Sequence, residues 1–511
     1  MTQQEILLAD IPMDKLDMLT REELVILLRG ERSIRVQMQG YISEVESINE
    51  LLKQKSFSFN EELITIKNKL FGKSSERSLK NPANERIRIK SKDKRVLLPS
   101  ERYPDAALIE KHITLDNPPN CSCCGAQTVD NGLTEESEYL TKVPAKFFVV
   151  VQVRHKYACR RCHGEIKTAP VLPRITPGGS YSDEMIIQTA VNKYCDLIPI
   201  ERQVKIAVRS GLKGLPPQSL IEGTHQLADF LREVYLKLKT EVLASRWLHA
   251  DETPHRMLEG DIRSGWYLWG FSTSSSSFFE CHDTRSGSVA SSLLIESSCE
   301  YLISDVYSGY GKAISDTNKL RVESNKPIIR SQFCNAHARR YFKQAGEVFL
   351  VESKFYINQY KKIYRLESIA TKYPFKKEEI RRRLRKYFEK IKNKCLEDMG
   401  GYSGKSSLTK AMKYFLKNYV GFTLFLEYIE LPIDNNPAER ILRNPVIGRK
   451  TWYGTHSKRG AETSAILFSI IETCKLNKIN PEKYLENLVQ DLHLGKTPYT
   501  PSEFKYLAEK S

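Results

Sequence analysis

The sequence predicts a multidomain α/β protein. A mixed-sheet core with a helical insertion is expected, preceded by an N-terminal coiled coil, a zinc-ribbon-like module and a helical, helix-turn-helix-like domain. Three observations support this: heptad spacing of apolar residues over 34–52, two Cys-x-x-Cys pairs between 121 and 162, and alternating strand-like and helical runs from residue 245. The length of 511 residues is several times that of a typical domain of about 100–200 residues.

The composition indicates a folded protein that binds a polyanion. Hydrophobic residues make up 41% of the chain and aromatic residues 10%, so it can bury hydrophobic cores. Lys and Arg number 79 against 62 Asp and Glu, which gives a net charge of +17. The sequence shows no run of about 18 apolar residues and no basic stretch before an apolar one at its start. We therefore expect a cytoplasmic, nucleoid-associated protein that does not bind membranes.

The N-terminal region is predicted to contain one helix with a second behind it. Apolar residues alternate at steps of four and three, in the order Ile34, Met38, Tyr41, Val45, Ile48 and Leu52. This spacing forms the a/d seam of a coiled coil and predicts self-association. An amphipathic helix packed on its own domain is the alternative. Residues 73–95, with nine basic and three acidic residues, are expected to form a basic linker or an arm lying on phosphates.

Four cysteines are spaced as zinc ligands. Cys121 and Cys124 form one Cys-x-x-Cys pair and Cys159 and Cys162 form a second, with a strand-like run at Phe147–Val153 between them. A gap of two residues lets two thiolates bind one ion, and two such pairs make a four-thiolate site. We therefore predict a small module held by structural Zn²⁺. Unrelated buried cysteines are the alternative.

The segment after the cysteines is predicted to be helical. Ser182–Tyr194 is amphipathic, and Ile200–Arg209 leads through glycines and prolines into Gln218–Tyr235. A helix, a Gly-containing turn and a second helix form the outline of a helix-turn-helix. Because any helical domain can show this outline, DNA contact and plain helix packing both stay open here.

From residue 245 the sequence predicts a mixed sheet. Strands are expected at Arg246–Asp251, Gly265–Phe271, Ser276–Cys281, Tyr301–Asp305 and Ile328–Phe333, with helices at Ser288–Ser297 and Ala336–Gln344. This order indicates a mixed α/β sheet. It is also the order of the ribonuclease-H-like core. Acidic residues end the first and the fourth strand.

About 85 residues, 346–430, interrupt this core with a helical pattern. Within them, residues 351–400 carry 15 Lys and Arg against seven acids, including Arg382 and Arg383, which makes them candidates for DNA binding. A new helix is expected to start in the segment after residue 434. With Asn436 as N-cap and Pro437 at the first helical position, Glu439 would close a capping box, so local structure could explain this acid.

Asp251 and Asp305 are candidate metal ligands. The strands that they end would be neighbours in a sheet of this order, so the two carboxylates could meet at one edge. Two ionised carboxylates this close are unfavourable without a cation between them, and oxygen ligands suit Mg²⁺ or Mn²⁺. Paired ions of this kind support phosphoryl transfer. Each Asp could equally be a turn or cap residue.

Nine short motifs occur in order along the chain: Lys69–Glu76, the two Cys pairs, Lys193–Tyr194 with Leu197–Gln203, His249–Pro254, Asp305–Tyr310, Cys334–Arg340, Asn435–Arg440, Gly448–Trp452 and Ile471–Asn477. With these motifs the whole chain resembles a transposase of the bacterial insertion sequence 66 family, a group that uses Asp-Asp-Glu chemistry. Departures from the family pattern are small and lie at Pro437 and Cys123.

The resemblance implies that Asp251, Asp305 and Glu439 are the catalytic acids, which hold Mg²⁺ (or Mn²⁺) on a ribonuclease-H-like core. It implies a DNA transposase that cleaves the ends of its element and joins the freed 3′ hydroxyl to target DNA by two-metal phosphoryl transfer. The expected partners are DNA (terminal inverted repeats and target), a second copy through the coiled coil, and accessory proteins of the same element. A catalytically inactive, zinc-containing DNA-binding regulator is the alternative, and a resolvase-like or repair nuclease is a third reading.

The strip of residues 440–460 contains six basic residues and no acid, which suits backbone phosphates with an aromatic ring to stack on a base. Its candidate DNA-binding residues are Arg440, Arg443, Arg449, Lys450, Trp452, Lys458 and Arg459. A solvated basic face is the alternative. Cys334 and His337 form a Cys-x-x-His pair, for which we expect a structural role, because two ligands alone do not make a metal site.

The domain boundaries that follow are a coiled-coil region 1–72, a basic linker 73–117, a zinc-binding module 118–175, a helical DNA-binding domain 176–244, the first part of the core 245–345, the insertion 346–430, the second part of the core 431–478 and a C-terminal tail 479–511.

Overall fold

The computed structural model describes residues 19–71, 98–113, 119–128, 137–141, 146–158, 166–259 and 265–508. These residues divide into two compact units. The larger unit comprises the described residues within 1–72, 154–205 and 215–511, and the smaller unit those within 73–153 and 206–214. The predicted basic arm at 73–95 lies outside the described residues.

The described part of the N-terminal region contains one helix, α1 (Arg21–Phe71), which is 51 residues long. No proline interrupts this stretch, which explains why the helix continues where we had predicted a second one. Four of the six side chains of its apolar seam, those of Met38, Tyr41, Ile48 and Leu52, are more than half exposed, and Ile34 and Val45 are 38% and 45% exposed. The helix therefore carries a long apolar stripe that is largely uncovered within the single chain.

Three short elements accompany the cysteine region. Helix α2 (Pro99–Arg102) belongs to the smaller unit. Strands β1 (Lys156–Ala158) and β2 (Ile166–Thr168) pair antiparallel in the larger unit. The run Phe147–Val153 forms no strand, so the prediction of a strand there was wrong, and strand pairing starts only at Lys156. The segment that joins β1 to β2 holds Cys159 and Cys162 and lies outside the described residues.

A five-stranded sheet forms the centre of the larger unit. Its strands are β3 (Trp247–His255), β4 (Trp266–Ser272), β5 (Ser277–His282), β6 (Tyr301–Ser304) and β7 (Arg330–Phe333). The order across the sheet is β5-β4-β3-β6-β7. The first three strands pair antiparallel, whereas β3, β6 and β7 run parallel. The mixed sheet predicted from the sequence is therefore confirmed, with all five strands near their predicted positions.

Six helices lie before or between these strands in the chain: α3 (Asp183–Tyr194), α4 (Ile200–Arg209), α5 (Pro217–Phe230), α6 (Arg232–Leu243), α7 (Gly287–Glu296) and α8 (Ser308–Glu323). The hydroxyl of Ser182 caps α3 by accepting a hydrogen bond from the N–H of Met185 at 3.3 Å. The predicted helix Gln218–Tyr235 is divided between α5 and α6.

The insertion after β7 is helical, as predicted. Helix α9 (Asn335–Ala345), predicted as the last helix of the first part of the core, comes directly before it. The insertion contains α10 (Leu350–Lys372), α11 (Lys377–Asp398), α12 (Ser407–Lys417), α13 (Tyr419–Thr423) and 3₁₀ turns at Pro374–Lys376, Met399–Gly401 and Leu424–Leu426. These helices bury a second, aromatic-rich core around Phe342, Tyr360 and Phe415. Fully buried aromatic side chains explain why the insertion is a packed body rather than a set of surface helices.

One arginine of the insertion is structural. The Arg381 side chain is only 1% exposed, and its Nη2 donates to Glu367 Oε1 at 2.8 Å and to the Leu431 carbonyl at 2.7 Å. Its Nη1 donates to the Phe425 and Tyr428 carbonyls. Part of the basic charge of the insertion is therefore used to join α11 to the chain that returns to the core, and that part is not available to DNA.

The C-terminal part of the chain forms four helices, α14 (Asn436–Trp452), α15 (Lys458–Leu476), α16 (Pro481–His493) and α17 (Pro501–Ala508). Almost every residue of α15 after its first turn is buried, as expected of a central core helix. A helix that crosses a membrane needs about 20 apolar residues in a row, and none in the described part of the chain meets this requirement.

The helices before the sheet share its hydrophobic core. Tyr194 of α3, Leu227 of α5 and Leu238 of α6 belong to the same buried cluster as Phe278 of β5 and Phe468 of α15. This arrangement differs from the separate helical domain predicted for 176–244. The apolar faces of these helices are buried against the sheet and α15, a partner that sequence periodicity does not identify.

Candidate active site

Asp251 and Asp305 lie at matching positions on neighbouring parallel strands. Strands β3 and β6 pair in register as far as His249 and Ile303. Asp251 follows two residues later within β3, and Asp305 follows two residues later, directly after the end of β6. Neighbouring strands lie about 4.8 Å apart, so both acids share the carboxyl edge of the parallel part of the sheet. The chain was predicted to turn out of the sheet after Asp251. This prediction was wrong, because β3 continues to pair with β4 up to His255.

The negative charge of Asp251 is poorly compensated within the chain. Its Oδ1 accepts a hydrogen bond from the Glu252 N–H at 2.9 Å, and Asp305 Oδ1 accepts one from the Tyr307 N–H at 3.1 Å. Burial raises the pKa of Asp251 to about 8, with added contributions from the charges of Glu252, Asp305 and, less strongly, Glu439. The negative charges of both other predicted catalytic acids therefore act on Asp251.

Glu252 has a different environment, although it is adjacent to Asp251. Its side chain is 2% exposed and its Oε1 accepts a hydrogen bond from Arg285 Nε at 2.8 Å. The Tyr310 hydroxyl donates to its other oxygen. Successive side chains of a strand point to opposite faces. Glu252 is therefore already neutralised in a buried ion pair, and Asp251 is the acid that remains for the site.

Asn435 joins the start of α14 to β3. Its buried side chain accepts a hydrogen bond from His249 Nδ1 at 2.7 Å and donates to the Ala250 carbonyl at 2.9 Å. Its backbone N–H donates to Cys334 Sγ at 3.2 Å. Burial lowers the pKa of His249 to about 4, so the ring is neutral at pH 7. These contacts hold the first turn of α14 beside Asp251.

The structure corrects the predicted cap of α14. The helix begins at Asn436, so that Asn435 is the N-cap, Pro437 is the second helical residue and Glu439 the fourth. A capping box requires the glutamate at the third position, bonded to the N-cap N–H. That N–H donates to Cys334 instead. Helix capping therefore does not account for the position of Glu439.

Glu439 faces side chains of α9. Its Oε1 lies 3.8 Å from His337 Nδ1, and its Oε2 lies 4.0 Å from Arg340 Nη2. His337 Nδ1 and Glu439 Oε1 are both buried and have no hydrogen-bond partner. One ligand atom each of Cys334, His337 and Glu439 lies within 4.8 Å of the other two, the one such group of three among the described residues. The Cys-x-x-His spacing was visible in the sequence, but the third member was not.

Several residues of the basic strip are available to a polyanion. Arg440, Arg443, Lys450 and Lys458 are exposed. None of these four forms an ion pair with an acidic group of the described residues. Tyr453 is 69% exposed and is the aromatic side chain that this strip presents to solvent.

Arg459 and Arg449 are engaged within the protein. Arg459 forms ion pairs with Glu222 at 3.0 Å and with Asp229 at 3.1 Å, both on α5. Arg449 is half-buried, its pKa is lowered by burial, and its Nη1 donates to Thr253 Oγ1 at 3.4 Å. The positive charge of Arg459 in particular is neutralised by its two acidic partners.

Trp452 is a packing residue rather than an open stacking platform. Its ring meets the Tyr194 ring edge-on at a centroid distance of 6.2 Å, and Lys193 Nζ lies 5.7 Å from its centroid. A Cβ added at Gly448 would lie 2.4 Å from the same ring. The base-stacking role predicted for Trp452 therefore conflicts with its contacts.

Arg382 and Arg383 lie on the exposed face of α11. Each pairs with a glutamate one turn earlier, Arg382 with Glu378 at 4.0 Å and Arg383 with Glu379. Exposed pairs at this spacing contribute only about 0.3–0.5 kcal/mol. Both guanidinium groups can therefore exchange their partner for a phosphate at little cost.

The first cysteine pair forms a tight turn. The Cys121 N–H donates to the Ala126 carbonyl at 2.7 Å, and the Gly125 N–H donates to the Cys121 carbonyl at 2.9 Å. Hydrogen bonds from the backbone N–H groups of Cys123 and Cys124 lower the pKa of the Cys121 thiol. Donors directed at a sulfur favour the thiolate form that binds metal.

Comparison with known protein families identifies the chain. The model for the transposase IS66 family matches residues 178–463, more than half of the sequence. This protein belongs to the IS66 family of transposases. A second model, the zinc-finger binding domain of transposase IS66, matches residues 118–163. The family resemblance inferred from the nine motifs is thereby confirmed. Membership implies a transposase that binds DNA, and the second match supports Zn²⁺ in the cysteine module.

Three curated proteins of Sinorhizobium fredii are similar to this IS66 family member. Uncharacterized protein y4hP is 24% identical over 76% of this chain and 73% of its own length. Uncharacterized protein y4jD is 27% identical over 74% of this chain and 75% of its own length. Uncharacterized protein y4qI is 26% identical over 73% of this chain and 70% of its own length. The similarity therefore extends over most of each chain.

Proposed function

We propose that this protein is a DNA transposase that cleaves the ends of its insertion sequence and joins the freed 3′ hydroxyl to target DNA. Asp251, Asp305 and Glu439 are its catalytic acids. The observation that supports the proposal is that β3 and β6 bring Asp251 and Asp305 to one edge of the sheet, where the charges of Asp305 and, less strongly, Glu439 add to the raised pKa of Asp251. The strand order β5-β4-β3-β6-β7 supports a ribonuclease-H-like core.

The donor set of this group fits Mg²⁺ or Mn²⁺. Asp251 is buried among negative charges that the chain does not compensate, and all the donors are hard carboxylate oxygens. When bound, such ions supply Lewis-acid stabilisation of charge in phosphoryl transfer. Asp251 and Asp305 would hold the ions and Glu439 would complete the set. Asn435 would keep Glu439 in place.

The experiment that tests the function is a strand-transfer assay. Purified protein is incubated with Mg²⁺, a target plasmid and DNA that carries the native ends of the element. We expect a new 3′ end at the element border and covalent joining of that end to the plasmid. Tight binding of the ends without cleavage would contradict the proposal and favour the inactive regulator, whereas cleavage without joining would favour a nuclease.

We further propose that Cys121, Cys124, Cys159 and Cys162 are the zinc ligands. The zinc-finger match covers all four residues, and the N–H groups directed at Cys121 suit a thiolate. Cys123 is exposed and lies in the same turn. It is too close in sequence to Cys121 for the usual two-residue gap. The module would hold its fold through the metal and help to recognise the terminal repeats.

The exposed residues of the basic strip are proposed to contact DNA phosphates. Arg443→Gln is expected to weaken binding of the element ends and to reduce the slope of log affinity against log salt by about 1, since one phosphate contact is lost. Fluorescence anisotropy at several salt concentrations measures this slope. Arg459→Gln is the matched control, because Glu222 and Asp229 already neutralise that charge. Equal slopes for the two variants would contradict the assignment.

The apolar seam of α1 is proposed to pair with a second copy of the chain. Introducing charges into the seam, with Met38→Glu and Val45→Glu together, is expected to weaken self-association at least about tenfold, because a/d positions become buried in a coiled coil. Analytical ultracentrifugation over a concentration series measures the effect. Gln39→Glu with Ser43→Glu adds the same charge outside the seam and should leave association unchanged. Unaltered association of the seam variant would overturn the coiled coil.

A further inference from the structure

We infer that Cys334, His337 and Glu439 form a binding site for a divalent transition-metal ion of the zinc class. The three side chains bring a sulfur, an imidazole nitrogen and a carboxylate oxygen within 4.8 Å of one another. This site is separate from the cysteine module, which holds none of these residues. It also differs in chemistry from the proposed magnesium site, which has oxygen donors alone.

The backbone places all three ligands at helix starts. Cys334 is the N-cap of α9, and His337 follows one helical turn later on the same side. Glu439 lies in the first turn of α14. The N–H of Asn435 donates to Cys334 Sγ at 3.2 Å, which joins the two helix starts directly. The N-termini of two helices thus converge on the ligands, and their positive ends favour an anionic carboxylate, whereas burial raises the pKa of the Cys334 thiol to about 12 as long as no ion is bound.

The spacing of the ligand atoms suits a tetrahedral ion. Metal–ligand distances of about 2.0–2.3 Å place the ligand atoms of a tetrahedral zinc site about 3.3–3.8 Å apart. His337 Nδ1 and Glu439 Oε1 lie 3.8 Å apart. This separation is too long for a hydrogen bond and close to the spacing that a shared ion needs. The sulfur completes the group after a shift of about 1 Å or less.

Two polar atoms of the site have no partner within the protein. His337 Nδ1 and Glu439 Oε1 are each buried and make no hydrogen bond. Arg340 approaches the other carboxylate oxygen, Oε2, at 4.0 Å, so it leaves Oε1 to a ligand. Buried polar atoms are normally paired. Two unpaired atoms facing each other beside a cysteine therefore indicate a group that binds between them.

The types of donor atom determine which ion fits the site, and partial exposure of the site leaves one coordination position of the ion open. A soft sulfur with an imidazole suits Zn²⁺ and Co²⁺, whereas Mg²⁺ prefers oxygen donors alone. The side chains of His337 and Glu439 are 23% and 30% exposed, so solvent reaches one side of the site. Three protein ligands with a fourth position for water or a phosphate oxygen is the arrangement of reactive rather than purely structural zinc sites.

The site shares Glu439 with the proposed catalytic set. An ion bound to Cys334 and His337 engages this carboxylate on the α9 side, so Zn²⁺ is expected to inhibit Mg²⁺-dependent cleavage. This regulatory consequence rests on the proposed function, but the metal site itself does not. The test of the site therefore uses the protein without DNA and without magnesium.

The experiment is a Co²⁺ titration of the full-length protein after loading with one equivalent of Zn²⁺ per chain, which the four-thiolate cysteine module is expected to take in preference to a site with three protein ligands. We expect saturable near-ultraviolet absorption from thiolate-to-cobalt charge transfer. Cys334→Ser should abolish this band, and His337→Gln should weaken Co²⁺ binding about tenfold or more. Serine keeps an acceptor for the Asn435 N–H. His337 is partly exposed, so its variant is expected to fold, and thermal melting of each variant checks this.

Cys395→Ser is the matched control, because Cys395 is as fully buried as Cys334 but lies outside the site. It should keep the cobalt band. A band that survives in Cys334→Ser would come from the zinc-finger cysteines and would overturn the inference, as would the absence of any band in the wild type. A protein that binds Co²⁺ here but fails to cleave DNA would contradict the proposed function alone.

Discussion

Asp251→Asn is expected to lower Mg²⁺-dependent cleavage and joining about 10³-fold or more, because a metal-binding carboxylate contributes several kcal/mol to a phosphoryl-transfer transition state. Binding of the element ends should stay unchanged, since the exposed basic residues lie elsewhere on the chain. Gel-shift and strand-transfer assays on the same preparation separate the two effects. Cleavage at the wild-type rate would show that Asp251 is not a catalytic acid.

Glu252→Gln is the matched control for this prediction. This substitution removes one negative charge from the residue next to Asp251. In the wild type the Glu252 carboxylate pairs with Arg285 and Tyr310. The Arg285 side chain is 45% exposed and stays solvated when its charged partner is lost, so Glu252→Gln should lower the unfolding temperature only modestly. Under conditions where it is folded, it should keep the dependence of cleavage on Mg²⁺ concentration.

Comparison of Asp251→Asn with wild type also gives a pH test without DNA. The pKa of Asp251 is about 8 in the folded chain, above its value of about 3.9 when unfolded. The folded state therefore binds the proton of Asp251 more tightly than the unfolded state does. The contribution of Asp251 to the free energy of unfolding is fully present below about pH 4 and is lost as the pH rises towards 8. Asn carries no proton to lose. The advantage of Asp251→Asn over wild type in thermal unfolding should therefore grow between pH 5 and pH 8 in metal-free buffer.

The second large effect is expected at Asn435. Asn435→Ala removes the partners of His249 Nδ1 and the Ala250 carbonyl, both of which are buried. Leaving two buried polar groups unpaired should lower the free energy of unfolding by about 3–5 kcal/mol. It also releases α14 from β3, so Glu439 is no longer held beside Asp251 and the remaining folded protein should lose strand transfer. Denaturant unfolding and the transfer assay measure the two consequences.

Asn318→Ala provides the comparison. The Asn318 side chain also makes two hydrogen bonds, to the carbonyl and the N–H of Ile329 at 2.9 and 2.7 Å. Its loss should destabilise the protein to a similar extent. Because Asn318 contacts neither β3 nor α14 through these bonds, folded Asn318→Ala should retain strand transfer. Similar losses of activity in both variants would show that Asn435 acts through general stability and not through the position of Glu439.

The mixed sheet and the positions of Asp251 and Asp305 could be predicted from the sequence because they depend on local patterns. Short apolar runs mark the strands, and their order brings the ends of β3 and β6 together. The place of α5 and α6 could not be predicted in this way. Their amphipathic pattern shows that one face is buried but not that β5 and α15 cover it.

The surroundings of Glu439 also depend on contacts that local sequence patterns do not predict. Its local sequence predicts a capping box, but in the fold Asn435 is the N-cap and its backbone N–H donates to Cys334, which is distant in sequence. Likewise Arg459 and Arg443 look alike in the sequence, yet only Arg459 meets two acids of α5 in the fold. Contacts between distant segments decide which of two similar residues is available.

The helical insertion leaves the core and returns to it at one point. The side-chain amide of Asn335, at the start of α9, donates to the carbonyl of Ile433 at 3.1 Å, just before α14. In a loop closed at its base, each doubling of length costs only about 0.6 kcal/mol in closure entropy. The outer helices can therefore be lengthened, shortened or exchanged between relatives while β7 and α14 keep their places. The fold thus separates a helical body that can change in size from the sheet edge that carries Asp251 and Asp305.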